Sequence, residues 1–397
     1  MEKTNLKSPL WAFGLLLVMA GLTYGIGYHT PRENFVAFIS QYLILFACFY
    51  MVWLNKQNWK FNHFLLAAIG LRTILLFAAP ELSNDFYRFI WDGELMTQGI
   101  NPFAHKPNDL ISNTDFMGST YMRILFHGMG ELSQAHYTCY PVLNQFLFFI
   151  PAAISDDIMT NVILLKLIII LADIGAIYFA KKIADHLGVN RHFVWLYALN
   201  PFIILEFSGN LHFEGVMIFF LLGAVYSILK YNWMWGAVLF GLAVQIKLIP
   251  LILIPFVFKK LKWRQTIGFL ALTAFVVLAV GGILLNKVFF ANMMDSVNEY
   301  FVRFQFNSSF YYLIINPVFE GLFEHELIEE WIYYSRFELV GKALSYISTL
   351  GILVLALLKA HRKDLDMITG MLFAFMIYYS MATTVHPWYI SLILVFS

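Results

Sequence analysis

Apolar runs about twenty residues long recur along the chain, separated by short stretches where lysine, arginine and proline collect. Such runs fall near 10–28, 34–54, 61–79, 162–180, 193–207, 214–230, 265–285, 338–358 and 366–382. Each approaches the ~20 residues that carry a helix across a bilayer. Spanning segments that carry Gly and Pro, as these do, must be helices, because lipid offers the backbone no other hydrogen-bond partner. A tenth run begins near 387 and reaches Ser397 about ten residues later, so that span is expected to be incomplete. The pattern predicts an all-α, polytopic transmembrane helix bundle of about ten spans, forming a single domain over residues 1–397. Gly14, Gly21, Gly25 and Gly27, with no small-residue cleavage site after them, mark the first run as a retained helix and not a signal peptide.

Two further apolar stretches, 141–154 and 234–258, do not fit as simple spans, and charge decides how to read them. Lys3, Lys7, Lys56, Lys60, Lys181, Lys182, Arg191, Lys230, Lys259, Lys260, Lys262, Arg264, Lys359, Arg362 and Lys363 all flank spans in short connections. Short cytoplasmic loops collect positive charge, which places these segments inside. Residues 141–154 then begin and end outside and are too short to cross, so they form an interfacial or re-entrant helix. The 234–258 stretch starts after Lys230 and ends at Lys259, both inside, so it turns back on itself. Gln245-Ile246-Lys247-Leu248-Ile249-Pro250 is the natural turn, with one ordinary span as the alternative. Two long outer loops remain, about 80–161 and 286–337.

Composition agrees. The chain is 60% hydrophobic and 13% charged, too few charges to cover a soluble surface. The formal net charge of +1 and the absence of a basic patch away from span ends leave no signature for nucleic acid. Cys48 lies in an apolar span and Cys139 in a polar loop, depths too different for a disulfide.

With the topology assigned, most of the notable polar residues fall on one side. They are Asp85, Arg88, Asp92 and Glu94 in the first loop, His212 and Glu214 in Ser208-Gly209-Asn210-Leu211-His212-Phe213-Glu214, Lys247 at the hairpin turn, Arg303 and Asn307 in the second loop, and His386 before Pro387-Trp388-Tyr389. Ionisable groups beside or inside a membrane are costly and mark functional cavities. Asp85 has the position of a general base that takes a proton from an attacking hydroxyl. The plain alternative is a helix cap, with Ser83, Asn84 or Asp85 opening a helix through Asp92. Arg88 shares a helical face with Asp85, as an ion pair or as a phosphate contact. Asp92 and Glu94 are candidates for a shared metal or for sugar hydroxyls, against plain solvation or pairing with Arg88. Lys247 either binds a lipid phosphate or snorkels. His212 and His386 are phosphate or sugar contacts, or a plain loop histidine and an anchoring turn. Arg72, Asp173 and Glu206 sit in or near spans and need buried partners. No second His or Cys stands at metal-ligand spacing, so no metal or other cofactor is called for.

At Asn84-Asp85-Phe86-Tyr87-Arg88-Phe89-Ile90-Trp91-Asp92-Gly93 and Gly99-Ile100-Asn101-Pro102-Phe103 the chain resembles the integral-membrane glycosyltransferases of the GT-C superfamily. Within them it is most similar to bacterial mannosyltransferases that use polyprenyl-phosphate sugars. Tyr140-Pro141, Asn200-Pro201 through His212, Lys247–Pro250, Phe306-Asn307-Ser308-Ser309-Phe310-Tyr311-Tyr312 and His386-Pro387-Trp388-Tyr389 extend the likeness along the chain in order. The resemblance implies a GT-C bundle with Asp85 as catalytic base at the extracytoplasmic face. It also implies a polyprenyl-phosphate-linked hexose donor, mannose foremost, a glycan or lipid hydroxyl as acceptor, and inversion at the sugar carbon. Asn84 stands where a second acid is common in such motifs, which weakens any case for a metal. The competing expectation is a transporter or flippase of a lipid-linked saccharide. It lacks support in the sequence, which shows neither an internal repeat nor a mid-membrane polar site.

Overall fold

A computed structural model describes residues 9–56, 59–112, 119–282, 284, 287–314, 330–358 and 363–397. Among these residues the regular structure is helical, and β pairing is limited to one bridge between Phe306 and Thr384. The principal helices are α1 (Pro9–His29), α2 (Phe35–Leu54), α3 (Phe61–Ile74), α4 (Asp85–Thr97), α5 (Val142–Ala152), α6 (Ile158–Leu187), α7 (Glu214–Leu229), α8 (Trp233–Ile246), α9 (Trp263–Gly281), α10 (Glu330–Leu358) and α11 (Asp364–Met381). Lys3, Lys7, Lys359, Arg362 and the 315–329 part of the second expected loop lie outside the described residues.

The fold is the expected all-α polytopic bundle, but fewer helices are long enough to cross than the apolar runs suggested. Among the described residues five helices have the length and apolarity to span a membrane: Trp11–His29, Phe35–Leu54, Ile158–Leu187, Trp263–Gly281 and Glu338–Leu358. One further apolar pair, Pro201–Gly209 and Glu214–Leu229, meets at 114° and forms either a broken span or a re-entrant loop. The expected 193–207 and 214–230 spans are the two arms of this bend. Asn200 stops the first arm from being one helix, since its side chain accepts from Phe202 N and caps a new start at Pro201. The expected 61–79 span is helical only to Ile74, and the last apolar run is the short helical stretch Pro387–Phe396.

The 234–258 stretch does turn back. α8 ends at Ile246, Lys247 is extended, and a 3₁₀ turn over Ile249–Leu253 leads into the helix Ile254–Lys260. Lys260 Nζ reaches Tyr231 Oη at 3.3 Å, so the start and end of the hairpin lie side by side. Lys247 is therefore at its far tip. The same Lys260 pairs with Asp364, whose other oxygen is 2.8 Å from His186 Nε2, and Lys259 bonds Leu357 O. These contacts gather at one end of the bundle several of the segments where positive charge collects.

Buried charges are tied off inside. Arg72 Nε lies 2.6 Å from Asp173 Oδ2, its Nη1 donates to Ala68 O and Ala198 O, and Tyr197 Oη donates to Asp173 Oδ1 at 2.5 Å. Lys166 Nζ donates to Leu75 O at 2.8 Å and Ala78 O at 2.6 Å, two carbonyls of the turn that follows α3. These fixed pairs join α3 to α6 and to the segment before Asn200.

α4 lies against α5. A side chain at Gly93 would meet Phe148 O at 2.4 Å, so only glycine permits this approach, and the Phe89 and Phe148 rings stack at 4.6 Å just beside it. At the far end of α4, burial and the nearby Asp156 carboxylate push the buried Glu94 carboxyl up to about 7, while Thr97 and Tyr121 act in the opposite sense.

Two outcomes are expected from these contacts. Asp173→Leu leaves Arg72 as an uncompensated buried cation and lowers stability by about 3–5 kcal/mol. The double variant with Arg72→Met recovers much of that loss, as read by thermal unfolding in detergent. For Glu94 the folded-state pKa lies above the ordinary value of 4.5. The unfolded chain therefore gives up its proton first, and stability declines as pH rises between those values. Glu94→Gln flattens this decline, measured as melting temperature across that pH window.

Candidate active site

At the end of the bundle opposite the Lys260–Asp364 cluster, the turn points of several elements enclose a cavity of about 480 Å³. Its walls come from Ser83–Arg88 through the start of α4, Thr138–Pro141 before α5, His212–Glu214 at the bend before α7, Lys247–Ile249 at the hairpin tip and His386–Tyr389 after α11. Phe304, Phe306, Glu131 and Arg32 are among its other lining residues. Asp85, Arg88, His212, Lys247 and His386, scattered over three hundred residues of sequence, thus face one space. Asp92 does not.

Asp85 opens α4. Asn84 is the cap residue but makes no capping bond with its side chain, which instead donates to Gly128 O, and Ser83 Oγ accepts from Asp85 N. The Asp85 carboxylate is therefore free of capping duty. Tyr140 Oη points at it from 3.5 Å. Burial raises the Asp85 pKa above the ordinary carboxylate range, with His212, Lys247 and the Tyr140 hydroxyl opposing and Glu214 adding to the rise.

Arg88 pairs with Asp92, not with Asp85. Its Nε is 2.7 Å from Asp92 Oδ1 one helical turn on, and its Nη1 donates to Ser133 O and His136 O. Asp92 is fully buried, and Gln145 Nε2 approaches its second oxygen at 3.3 Å. The proposed sugar contact at Asp92 is thus corrected: its carboxylate lies behind Arg88 and orients the guanidinium at the cavity wall. Glu94 also lies outside the cavity.

His212 sits in the bend between Gly209 and Glu214, where Leu211 takes φ 64° and reverses the chain. Its Nε2 is 3.2 Å from Glu206 Oε2, which gives the span-end acid Glu206 a neighbour. Its ring stacks on Trp388 at 3.6 Å, and Trp388 also stacks with His386 at 4.6 Å with the planes 2° apart. Phe306 stacks on His386 in turn at 5.0 Å. Trp388 thus stacks with both imidazoles. Burial, with Lys247 and His212 nearby, lowers the His386 pKa to about 4, so its ring is neutral at physiological pH.

Lys247 pairs with Glu214, in the first turn of α7, and lies over the Tyr389 ring at 4.6 Å from its centre. Glu214 was recognised in the sequence without a partner. Tyr140 and Trp388 were visible only as parts of motifs, and Arg32, Glu131 and Cys139 carried no signal that they would meet here. Burial pushes the Cys139 thiol up to about 12, so it stays protonated, and both cysteines are free. Arg303 lies apart from the cavity among Asp295, Glu299 and Glu338 at 3.7–4.0 Å. Asn307 ties the second loop to Val385 O at 3.4 Å. Among the described residues no three His, Cys, Asp or Glu side chains group as metal ligands.

The arrangement offers a carboxylate with a raised pKa at the wall of a cavity rimmed by cations and two imidazoles, with aromatic surfaces around it. A protein of Corynebacterium glutamicum named alpha-(1->6)-mannopyranosyltransferase A is 25% identical over 191 residues, covering 46% of this chain and 36% of that protein. The Mycobacterium tuberculosis protein of the same name is 22% identical over 228 residues, covering 55% of this chain and 41% of its own length. The chain therefore matches well under half the length of each of these relatives. The model of the family described as alpha-(1->6)-mannopyranosyltransferase, N-terminal domain, matches residues 28–262. That stretch is more than half of the chain and holds most of the cavity wall, from Arg32 and Asp85 through His212 to Lys247, and the chain belongs to this family.

Proposed function

We propose that this chain transfers a hexose, mannose foremost, from a polyprenyl-phosphate donor to an acceptor hydroxyl at the extracytoplasmic face, with Asp85 as general base. The observation that carries the reading is the state of Asp85. It is a cavity carboxylate with a raised pKa, it is spared from capping, and its neighbour Arg88 is engaged elsewhere. The names of the relatives support mannosyl transfer. Basic residues clustered at the opposite end support an outward-facing cavity.

In the reaction the acceptor oxygen attacks the anomeric carbon and its proton passes to Asp85. The bond from that carbon to the phosphate oxygen breaks, and the electron pair leaves with the lipid phosphate. Attack opposite the leaving group inverts the sugar carbon. Lys247, Arg88 and neutral His386 are the groups placed to meet the phosphate. The donor already carries an activated sugar, so the reading requires no nucleotide and no metal. A transporter reading finds less support, because the cavity lies at one end of the bundle.

Asp85→Asn is expected to reduce transfer by about 10²–10⁴-fold while leaving the thermal unfolding profile unchanged. Purified protein, polyprenyl-phosphate mannose and a mannoside acceptor, read by mass spectrometry, provide the test, and near-normal transfer by this variant would sink the assignment. The base must be ionised to accept a proton, so activity falls as pH drops through its raised pKa. The acid limb of kcat/KM against pH should therefore lie above the ordinary carboxylate range. A limb at or below that range counts against Asp85 as base.

A further inference from the structure

Three cations with side chains longer than histidine line the cavity: Arg32, Arg88 and Lys247. Two of them meet a fixed internal carboxylate. Arg88 is bonded to buried Asp92, and Lys247 to Glu214. An anionic ligand must share these cations with carboxylates already in place, which weakens the attraction each can offer. Arg32 is different. Among the described residues its guanidinium meets no carboxylate and no hydrogen-bond partner.

The backbone beneath Arg32 is held firmly. It belongs to the turn from Thr30 to Asn34 that joins α1 to α2. Thr30 Oγ1 donates to Gly25 O at 3.0 Å and accepts from Gln41 Nε2 at 2.8 Å, tying the end of α1 to α2. Asn34 N donates to Pro31 O at 3.0 Å, and the Asn34 side chain caps α2 by accepting from Ala37 N. The neighbouring segment leading to Asp85 is pinned as well, since Leu82 N donates to Asn210 Oδ1 at 3.1 Å. An exposed arginine on a tied turn beside an equally tied acid loop keeps its charge at the cavity without an internal partner to satisfy it.

We propose that Arg32 is a phosphate-binding residue of the cavity, taking the anionic phosphate of the lipid-linked donor as it enters. The inference rests on the transferase reading for the identity of the lipid phosphate. Arg32 supplies a fork of donors that suits phosphate oxygens, and Lys247 joins only as the phosphate competes with Glu214.

The test compares binding of farnesyl phosphate, farnesol and inorganic phosphate to the purified full chain in detergent, for wild type, Arg32→Gln and Arg32→Lys. Arg32 is exposed and unbonded, so both variants are expected to fold, which thermal unfolding checks. Wild type should prefer farnesyl phosphate to farnesol by about tenfold or more, the size of one charge-assisted contact. Arg32→Gln should lose that preference and leave farnesol binding unaltered, and Arg32→Lys should keep part of it. An undiminished preference in Arg32→Gln, or none in wild type, overturns the proposal. So does inorganic phosphate binding as tightly as farnesyl phosphate, which would mark a site for free anions. Transfer measured in parallel separates the two readings. Failure of wild type to transfer mannose counts against the transferase assignment, while the binding comparison still decides whether Arg32 holds a phosphate.

Discussion

The ion pair between Arg88 and Asp92 sets the character of the site. α4 presents Asp85, Arg88 and Asp92 along one side, and the arginine lies within reach of either acid. It takes the buried one, and the carbonyls of Ser133 and His136 occupy its other donors. Pairing with Asp85 would have held that carboxyl low and neutralised it. With Arg88 committed to Asp92, burial dominates and the Asp85 pKa is raised. The same rule runs through the bundle. Arg72 is bound to Asp173 and Lys166 to the end of α3, so these buried charges are satisfied within the bundle.

Backbone breaks build the cavity as much as side chains do. Irregular backbone at membrane depth is tolerated where it is buried in protein or lines a cavity. The bend at Leu211–Phe213 and the hairpin tip at Lys247–Ile249 both bring such backbone to this one space, and the turn at His386–Tyr389 closes it. These breaks carry His212, Lys247 and His386 to their places. The Trp388 stack then fixes the spacing of the two imidazoles, and the bridge from Phe306 to Thr384 holds the second loop against it.

Much of this was legible in the chain. The hairpin over 234–258 followed from Lys230 and Lys259 having to lie at one end, and Lys260 beside Tyr231 shows that they do. The convergence of Asp85, His212, Lys247 and His386 followed from the same topology. The count of spans did not follow, because hydropathy cannot see that Asn200 caps a new start or that α3 stops at Ile74. Asp92 was misread for a different reason. A charge one turn from Arg88 looks the same in sequence whether it faces a cavity or the packed surface of α5.

Apolar periodicity and the distribution of lysine and arginine determined by themselves that this chain is a helical membrane bundle with its polar residues gathered at one end. Those are local properties, since each run of residues carries its own free energy of transfer and each flanking charge its own preference. Only the tertiary structure decided which acid Arg88 takes, which cations keep their charge for a ligand, and that Arg32 reaches the same cavity as Lys247. Such choices depend on groups far apart in the chain, as where Lys166 meets Leu75 or Gln145 closes on Asp92. Ion pairing is settled by distance in space, which no local pattern encodes.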